Sequence, residues 1–148
     1  MHRTFSFYVV GTPKAQPRPR AFAIQRKGKA PLVRVYEAGT AENWKSEIAK
    51  AAKEAGVEKL EGPISMQLFF SFPRPMNHFK RDGRIKDNAP KFYVQRPDFD
   101  NLSKAVADAL TTLGTWDDDS QLIDVSVKKN WALGCSQGGC AITISELT

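Results

Sequence analysis

From Ile64 to Phe72 every second residue is large and apolar: Ile64, Met66, Leu68, Phe70 and Phe72. A period of two predicts a strand with one face in a core. Further on the period changes. Leu102, Ala105, Val106, Ala109, Leu110 and Leu113 fall three and four apart, on one face of a helix. Asp98 opens that helix and Gly114 closes it. Asn101, Lys104 and Asp108 share a more polar face of it. A second helix is predicted from an N-cap at Thr40 to about Ala55, with Trp44, Ile48, Ala51 and Ala52 facing the core and Gly56 as its stop.

Phe5–Val10 reads as a strand ended by Gly11-Thr12-Pro13. Ala21–Gln25 and Leu32–Tyr36 read as a hairpin arm whose tip is the basic turn Arg26–Pro31. Leu122–Val127 and Ala141–Ile144 read as two more strands, joined through a glycine-rich loop. Gly62-Pro63 breaks the chain between elements. Arg74–Arg96 is a long polar connection with seven bases and two acids, long enough to be functional in a compact domain. A short helix and a further hairpin both fit it. Together these elements predict one small domain over residues 1–148 that combines several strands with two main helices.

Charge sharpens this picture. The chain carries a net charge of +6, yet from Asp98 to Asp124 seven acids face a single base, Lys104. That stretch is −6, so the remainder is about +12 by subtraction. A cationic surface around concentrated carboxylates suits a protein that binds a polyphosphate and holds a divalent metal. No run of about 18 apolar residues predicts a membrane span, and the first residues, Met1 to Phe5, lack the apolar core of a signal peptide. The expectation is a cytoplasmic protein with no membrane partner and no nucleotide cofactor. Cys135 and Cys140 have neither a second Cys pair nor a nearby His, so they read as free thiols flanking a turn. His2 and His78 are the only histidines, which excludes paired-His metal motifs. Serine-hydrolase and P-loop ATPase chemistry are set aside.

The acids form two blocks, Asp98/Asp100 at the helix entry and Asp117-Asp118-Asp119 just beyond its end. Capping explains one acid at a helix N-terminus. It does not explain two there, nor three past the C-terminus, where the dipole repels negative charge. If the chain after the helix runs back along it, one of the three approaches Asp98 and Asp100. Packed carboxylates require a cation, and hard oxygen donors select Mg²⁺ or Mn²⁺. Lys104, one turn into the helix, stands ready to stabilise a phosphate. Its bland alternative is an exposed lysine paired with Asp108 at i+4, worth a few tenths of a kcal/mol.

Arg96-Pro-Asp-Phe-Asp-Asn-Leu-Ser-Lys-Ala-Val-Ala-Asp-Ala-Leu110, then Gly114, Trp116 and Asp118-Asp119-Ser-Gln-Leu-Ile-Asp124, resembles the RusA family of Holliday junction resolvases. About thirteen positions match in order, over roughly residues 96–126. The resemblance implies a small α+β fold with a mixed β-sheet and two main helices, working as a homodimer that nicks four-way DNA junctions in symmetric pairs, with Mg²⁺ as cofactor and Mn²⁺ as a substitute. It puts the essential carboxylates on Asp98, Asp100 and Asp119, the catalytic lysine on Lys104 and the site asparagine on Asn101. Asp118 aligns with an acidic neighbour and joins the metal ligands. Asp117 lies outside the pattern. Arg18, Arg20, Arg26, Lys27, Lys29, Arg34 and Arg96 are the candidate phosphate contacts, with the 74–96 loop. Such contacts give affinity and salt dependence rather than sequence choice. Phe22 and Phe79 are candidate wedges at the crossover, with core or loop packing as the alternative. The competing functions are a non-catalytic DNA-binding protein with structural acids, and a flap or single-strand nuclease using the same site.

Overall fold

The computed structural model describes residues 2–17, 19–37 and 41–147, without the side chains of 19–22, 24 and 32–37. Six strands and two helices follow in order: β1 (Thr4–Val10), β2 (Pro19–Ile24), β3 (Leu32–Glu37), α1 (Glu42–Glu54), β4 (Ile64–Phe72), α2 (Phe99–Leu113), β5 (Leu122–Trp131) and β6 (Gly139–Glu146). Short 3₁₀ turns occur at Met76–His78 and Asp119–Gln121. The main sheet has the order β1-β6-β4-β5; β2 and β3 form a separate antiparallel pair. β4 and β5 are parallel, whereas β6 is antiparallel to both β1 and β4. The sheet is therefore mixed, and the fold is α+β as the family resemblance implies.

The alternation in β4 puts Ile64, Met66, Leu68, Phe70 and Phe72 into the core, each 4% exposed or less. Cys140, Ile142 and Ile144 of β6 point the same way. The helices cover this face. α1 contributes Trp44, Ile48 and Ala52, and α2 contributes Leu102, Ala105, Val106, Ala109 and Leu110. Burying a leucine fully is worth about 1.5–3 kcal/mol, so the apolar stripe of α2 holds it on the sheet without help from its polar face. The opposite sheet face is open, with Tyr8 and Phe69 about half exposed.

Parallel pairing of β4 and β5 requires a crossover, and α2 supplies it. The register sets Ile64 beside Leu122 and Phe72 beside Trp131. α2 therefore runs opposite to β5, its start near Lys129 and its end near Leu122. Gly114, in the left-handed region at φ 92°, closes the helix by donating to Leu110 O and Thr111 O. At the far end of the sheet Arg3 grips Glu146 with Nε to Oε1 at 3.0 Å and a second nitrogen to Oε2 at 2.8 Å. The Glu61 amide adds a third bond to that carboxylate at 2.8 Å. These partners, Arg3 foremost, pull Glu146 down to about 2 from its ordinary 4.5.

Several expectations change. Thr40 lies outside the described residues; Ala41 occupies the N-cap of α1 and provides no side-chain cap. β5 continues four residues past Val127 to Trp131, because its pairing with β4 carries on through Lys128 and Lys129. β6 begins at Gly139, so Cys140 is a buried strand residue whose thiol burial pushes up to about 12. Cys135 is exposed in the loop before it, and both thiols are free. The 74–96 connection holds both alternatives in miniature: the 3₁₀ turn at Met76–His78 and an antiparallel bridge between Phe79 and Ile85.

Candidate active site

The N-terminus of α2 gathers four of the expected residues. Asp98 stands in the N-cap position with extended backbone, φ −74° and ψ 150°, and its carboxylate makes no capping bond. Capping therefore does not account for it. Asp100 lies in the first turn, where its Oδ1 accepts the Asn101 amide at 2.9 Å. Both carboxylates are exposed, near the orphan amides and positive dipole end that favour negative charge. Lys104 is exposed one turn after Asp100, on the same side of the helix. It is not paired with Asp108. That acid binds Lys45 of α1 at 2.7 Å instead, which leaves the Lys104 ammonium available at the site.

The segment before β2 reaches this end of the helix. The Gln16 amide donates to Asn101 O at 3.0 Å, so the root of the basic hairpin lies beside the acids. At the hairpin tip Lys27 and Lys29 are exposed. Arg26 folds back, with both Nε and a terminal nitrogen on Ala30 O at 3.1 and 2.8 Å. Arg18 lies outside the described residues, as do the side chains of Arg20, Phe22 and Arg34. Arg96 is exposed two residues before Asp98. Phe79 is half-buried in its bridge. The exposed apolar side chains nearest Asp98 in the chain are instead Phe92, Val94 and Phe99, at 70%, 88% and 61%.

The second acidic block sits at the other end of α2. The chain turns at Asp119–Gln121 and only then runs back as β5, so the strand residue that reaches the start of the helix is Lys129, not an aspartate. Fifteen residues of helix separate the blocks by about 20 Å. Among the described residues, no group of three or more His, Cys, Asp or Glu side chains stands together to hold a metal. The three aspartates also differ in their engagements. Asp117 pairs with Lys59 at 2.6 Å. Asp118 forms a capping box with Gln121 and accepts the Ser120 hydroxyl, which holds its carboxyl below the usual range. Gln121 Oε1 accepts the amides of Asp117 and Asp118 at 2.9 and 3.2 Å, and its Nε2 donates to Gly62 O at 2.9 Å. The turn is thereby tied to the start of β4. Asp119, first residue of the 3₁₀ turn, is exposed, with exposed Ile123 and Val125 following it on β5.

A group of residues around Tyr93 was not singled out from the sequence. Tyr93 is buried against Phe72, with rings stacked at 4.1 Å, and lies edge-on to Trp131 at 4.8 Å. Arg74 lies over Trp131 at 5.4 Å and donates to Pro90 O at 2.8 Å, docking the basic loop on the sheet. Lys129 Nζ donates to Gln95 O and Pro97 O at 2.8 and 2.9 Å. The sequence signal was parity: Val125, Val127, Lys129 and Trp131 alternate, so Lys129 holds an inward position.

The loop between β5 and β6 spells G-x-S-x-G at Gly134–Gly138, the letters of a nucleophile elbow. That motif needs a strand-to-helix turn. Here the loop leads into a strand, and Ser136 Oγ accepts the Gly138 amide at 3.1 Å. Serine-hydrolase chemistry stays set aside for this structural reason.

Paired carboxylates and a lysine on one helix terminus, amid basic loops, are residue types that metal-assisted phosphodiester cleavage uses. Residues 11–144 match the family model for endodeoxyribonuclease RusA, so the chain belongs to the RusA family. It is 34% identical over 127 residues to the uncharacterized protein YqaN of Bacillus subtilis, covering 83% of this chain and 84% of that one. It is 44% identical over 54 residues to the crossover junction endodeoxyribonuclease RusA of Escherichia coli K12, covering 36% of this chain and 42% of that protein. The same-named protein of Enterobacteria phage 82 matches to the same extent. Among the described residues no helix is long and apolar enough to cross a membrane.

Proposed function

We propose that this protein is a divalent-metal-dependent endonuclease that resolves four-way DNA junctions as a homodimer, with each cutting centre shared between two copies. The observation that carries this reading is the split of the acids between the two ends of α2. Asp98 and Asp100 supply two hard oxygen donors at one end, and Asp119 a third at the other. Two donors and one do not make a metal site separately. In a two-fold pair the Asp98 end of one copy meets the Asp119 end of its partner, and the same contact occurs twice. Some of the exposed apolar side chains adjoin these ends in the chain: Phe92, Val94 and Phe99 the first, Ile123 and Val125 the second.

The completed donor set fits Mg²⁺, with Mn²⁺ as a substitute. Bound there, the ion supplies Lewis-acid stabilisation of the phosphodiester oxygens. Asp119 is the third ligand in this reading, because the Asp117 carboxylate is paired with Lys59 and that of Asp118 caps the turn. Asp118 remains beside the site and adds negative charge to it. The Lys104 ammonium faces the scissile phosphate and stabilises the charge that develops on it. Asn101 orients the phosphate, and Arg18, Arg20, Arg26, Lys27, Lys29 and Arg96 contact flanking phosphates without reading bases. A two-fold protein on a nearly two-fold junction makes two symmetric nicks. The setting is cytoplasmic DNA recombination and repair.

The test is cleavage of a synthetic four-way junction with and without Mg²⁺, beside Asp100→Asn and a linear duplex of the same sequence. Symmetric, metal-dependent nicking by the wild type alone, with the variant still bound to the junction, is the expected result. Binding without cleavage in both Mg²⁺ and Mn²⁺ sinks the nuclease reading and leaves a DNA-binding protein. Equal cutting of flaps and junctions sinks the junction preference.

A further inference from the structure

Gln95, Arg96 and Pro97 precede Asp98 and belong to no strand or helix. Backbone carbonyls outside regular structure need other partners. Here side chains provide them. Lys129 Nζ takes Gln95 O at 2.8 Å and Pro97 O at 2.9 Å, and the Tyr93 hydroxyl donates to Arg96 O. Three successive carbonyls are thus held from the sheet side by two residues. The holders are themselves fixed. The ammonium of Lys129 lies 5.2 Å from the centre of the Tyr93 ring, and that ring is clamped between Phe72 and Trp131. Asp98 follows at once, and its own carboxylate makes no capping bond. The direction of its Cα–Cβ bond, from which the carboxylate projects, is set by the backbone behind it.

We propose that Lys129 is a positioning residue: by anchoring residues 95–97 to β5 it aims the Asp98 and Asp100 carboxylates at the metal. This rests on the nuclease reading above. Lys129 touches neither metal nor DNA in this role. A charged donor suits the task because an ammonium offers three donors and binds carbonyls more strongly than a neutral group does. Groups that orient metal ligands in this manner typically matter 10- to 100-fold in metal affinity or activity.

Lys129→Met keeps the aliphatic stem against Tyr93 and removes the donors, whereas Lys129→Arg keeps donors for two carbonyls. Four quantities are compared: the Mg²⁺ concentration for half-maximal single-turnover nicking, calorimetric binding of Mn²⁺ to the protein alone, junction affinity without metal, and the melting temperature. Lys129→Met is expected to raise the Mg²⁺ requirement and weaken Mn²⁺ binding about tenfold, with junction affinity within about twofold. Lys129→Arg should restore most of that loss. Tyr93→Phe removes only the bond to Arg96 O and gives a smaller shift in the same direction, so it serves if Lys129→Met does not fold. An unchanged Mg²⁺ requirement and Mn²⁺ affinity, with melting temperature and junction binding falling together, assigns Lys129 a purely structural role and overturns the proposal. Wild-type protein that binds Mn²⁺ yet never nicks a junction refutes the nuclease reading, and the Mn²⁺ titration of the variants then decides the role of Lys129 by itself.

Discussion

Two inactive variants of this protein should rescue each other. In the proposed shared centre, Asp98→Asn damages the half at the start of α2, and Asp119→Asn damages the half about 20 Å away, beyond the helix end. In a two-fold dimer each centre takes one half from each copy. A heterodimer of the two variants therefore has one centre with both halves damaged and one with both intact. After free exchange of an equal mixture, about half the dimers are heterodimers, so about one quarter of wild-type centres return. Heterodimers isolated through two affinity tags should recover about half of the single-strand nicking rate, with almost no paired cleavage. The assay is a junction labelled on all four strands, with nicked and resolved products separated on native gels. A mixture of Asp98→Asn with Asp100→Asn is the control. Both substitutions fall in the same half, so no heterodimer has an intact centre and the mixture stays inactive. Verified heterodimers of the first pair that remain inactive would refute the shared centre, as would rescue by the control pair.

Three further outcomes follow from the geometry. Glu146 has its pKa drawn down to about 2 by Arg3 and the Glu61 amide, so its contribution to stability is complete above its ordinary 4.5 and is lost as pH falls towards 2; Glu146→Gln should lower the melting temperature at pH 6 and flatten its decline below pH 5, and parallel curves for the two proteins would show that the pair is not responsible. A Cβ at Gly138, where φ is +90°, would lie 2.2 Å from Ser71 O, so Gly138→Ala should cost upwards of about 2 kcal/mol in urea unfolding, and a loss below about 0.5 kcal/mol contradicts that packing. Arg81 is exposed in the basic loop, and Arg81→Ala should weaken junction binding with a salt slope about one unit shallower; an unchanged slope removes this residue from the DNA contact.

α2 was legible because two signals agree along it: the apolar residues from Leu102 to Leu113 keep helical spacing, and Gly114 supplies the left-handed stop. β4 was legible for the same kind of reason. β5 was read too short because Lys128, Lys129 and Asn130 interrupt the apolar run, although the ladder with β4 carries them to Trp131. Hydrogen bonding to a neighbouring strand is invisible in local polarity. The acids were found from composition and spacing, but the distance between them was not. That distance depends on where the chain turns back, and the turn is set by Gln121 reaching Gly62, a contact across 59 positions. The partner of Asp108 was missed for the same reason, since Lys45 comes from another helix. Tyr93 and Lys129 owe their importance to a tertiary cluster, and only the parity of β5 hinted at one of them.

The length of α2 acts as a gauge. If each centre is built from opposite ends of two copies, the spacing between the two centres of a dimer is governed by the same helix that separates Asp98 from Asp119 in each chain. One helical turn more or less would move the ends by about 5.4 Å and also displace the acids around the axis. The hairpin arm and the part of the basic loop between Arg74 and Pro90, outside the segment that Tyr93 and Lys129 anchor, face no such restriction and can vary in length without altering the cutting geometry. Among related chains, insertions are therefore expected in those two segments and excluded from the span between Asp98 and Asp119, which works as a fixed ruler between two cuts.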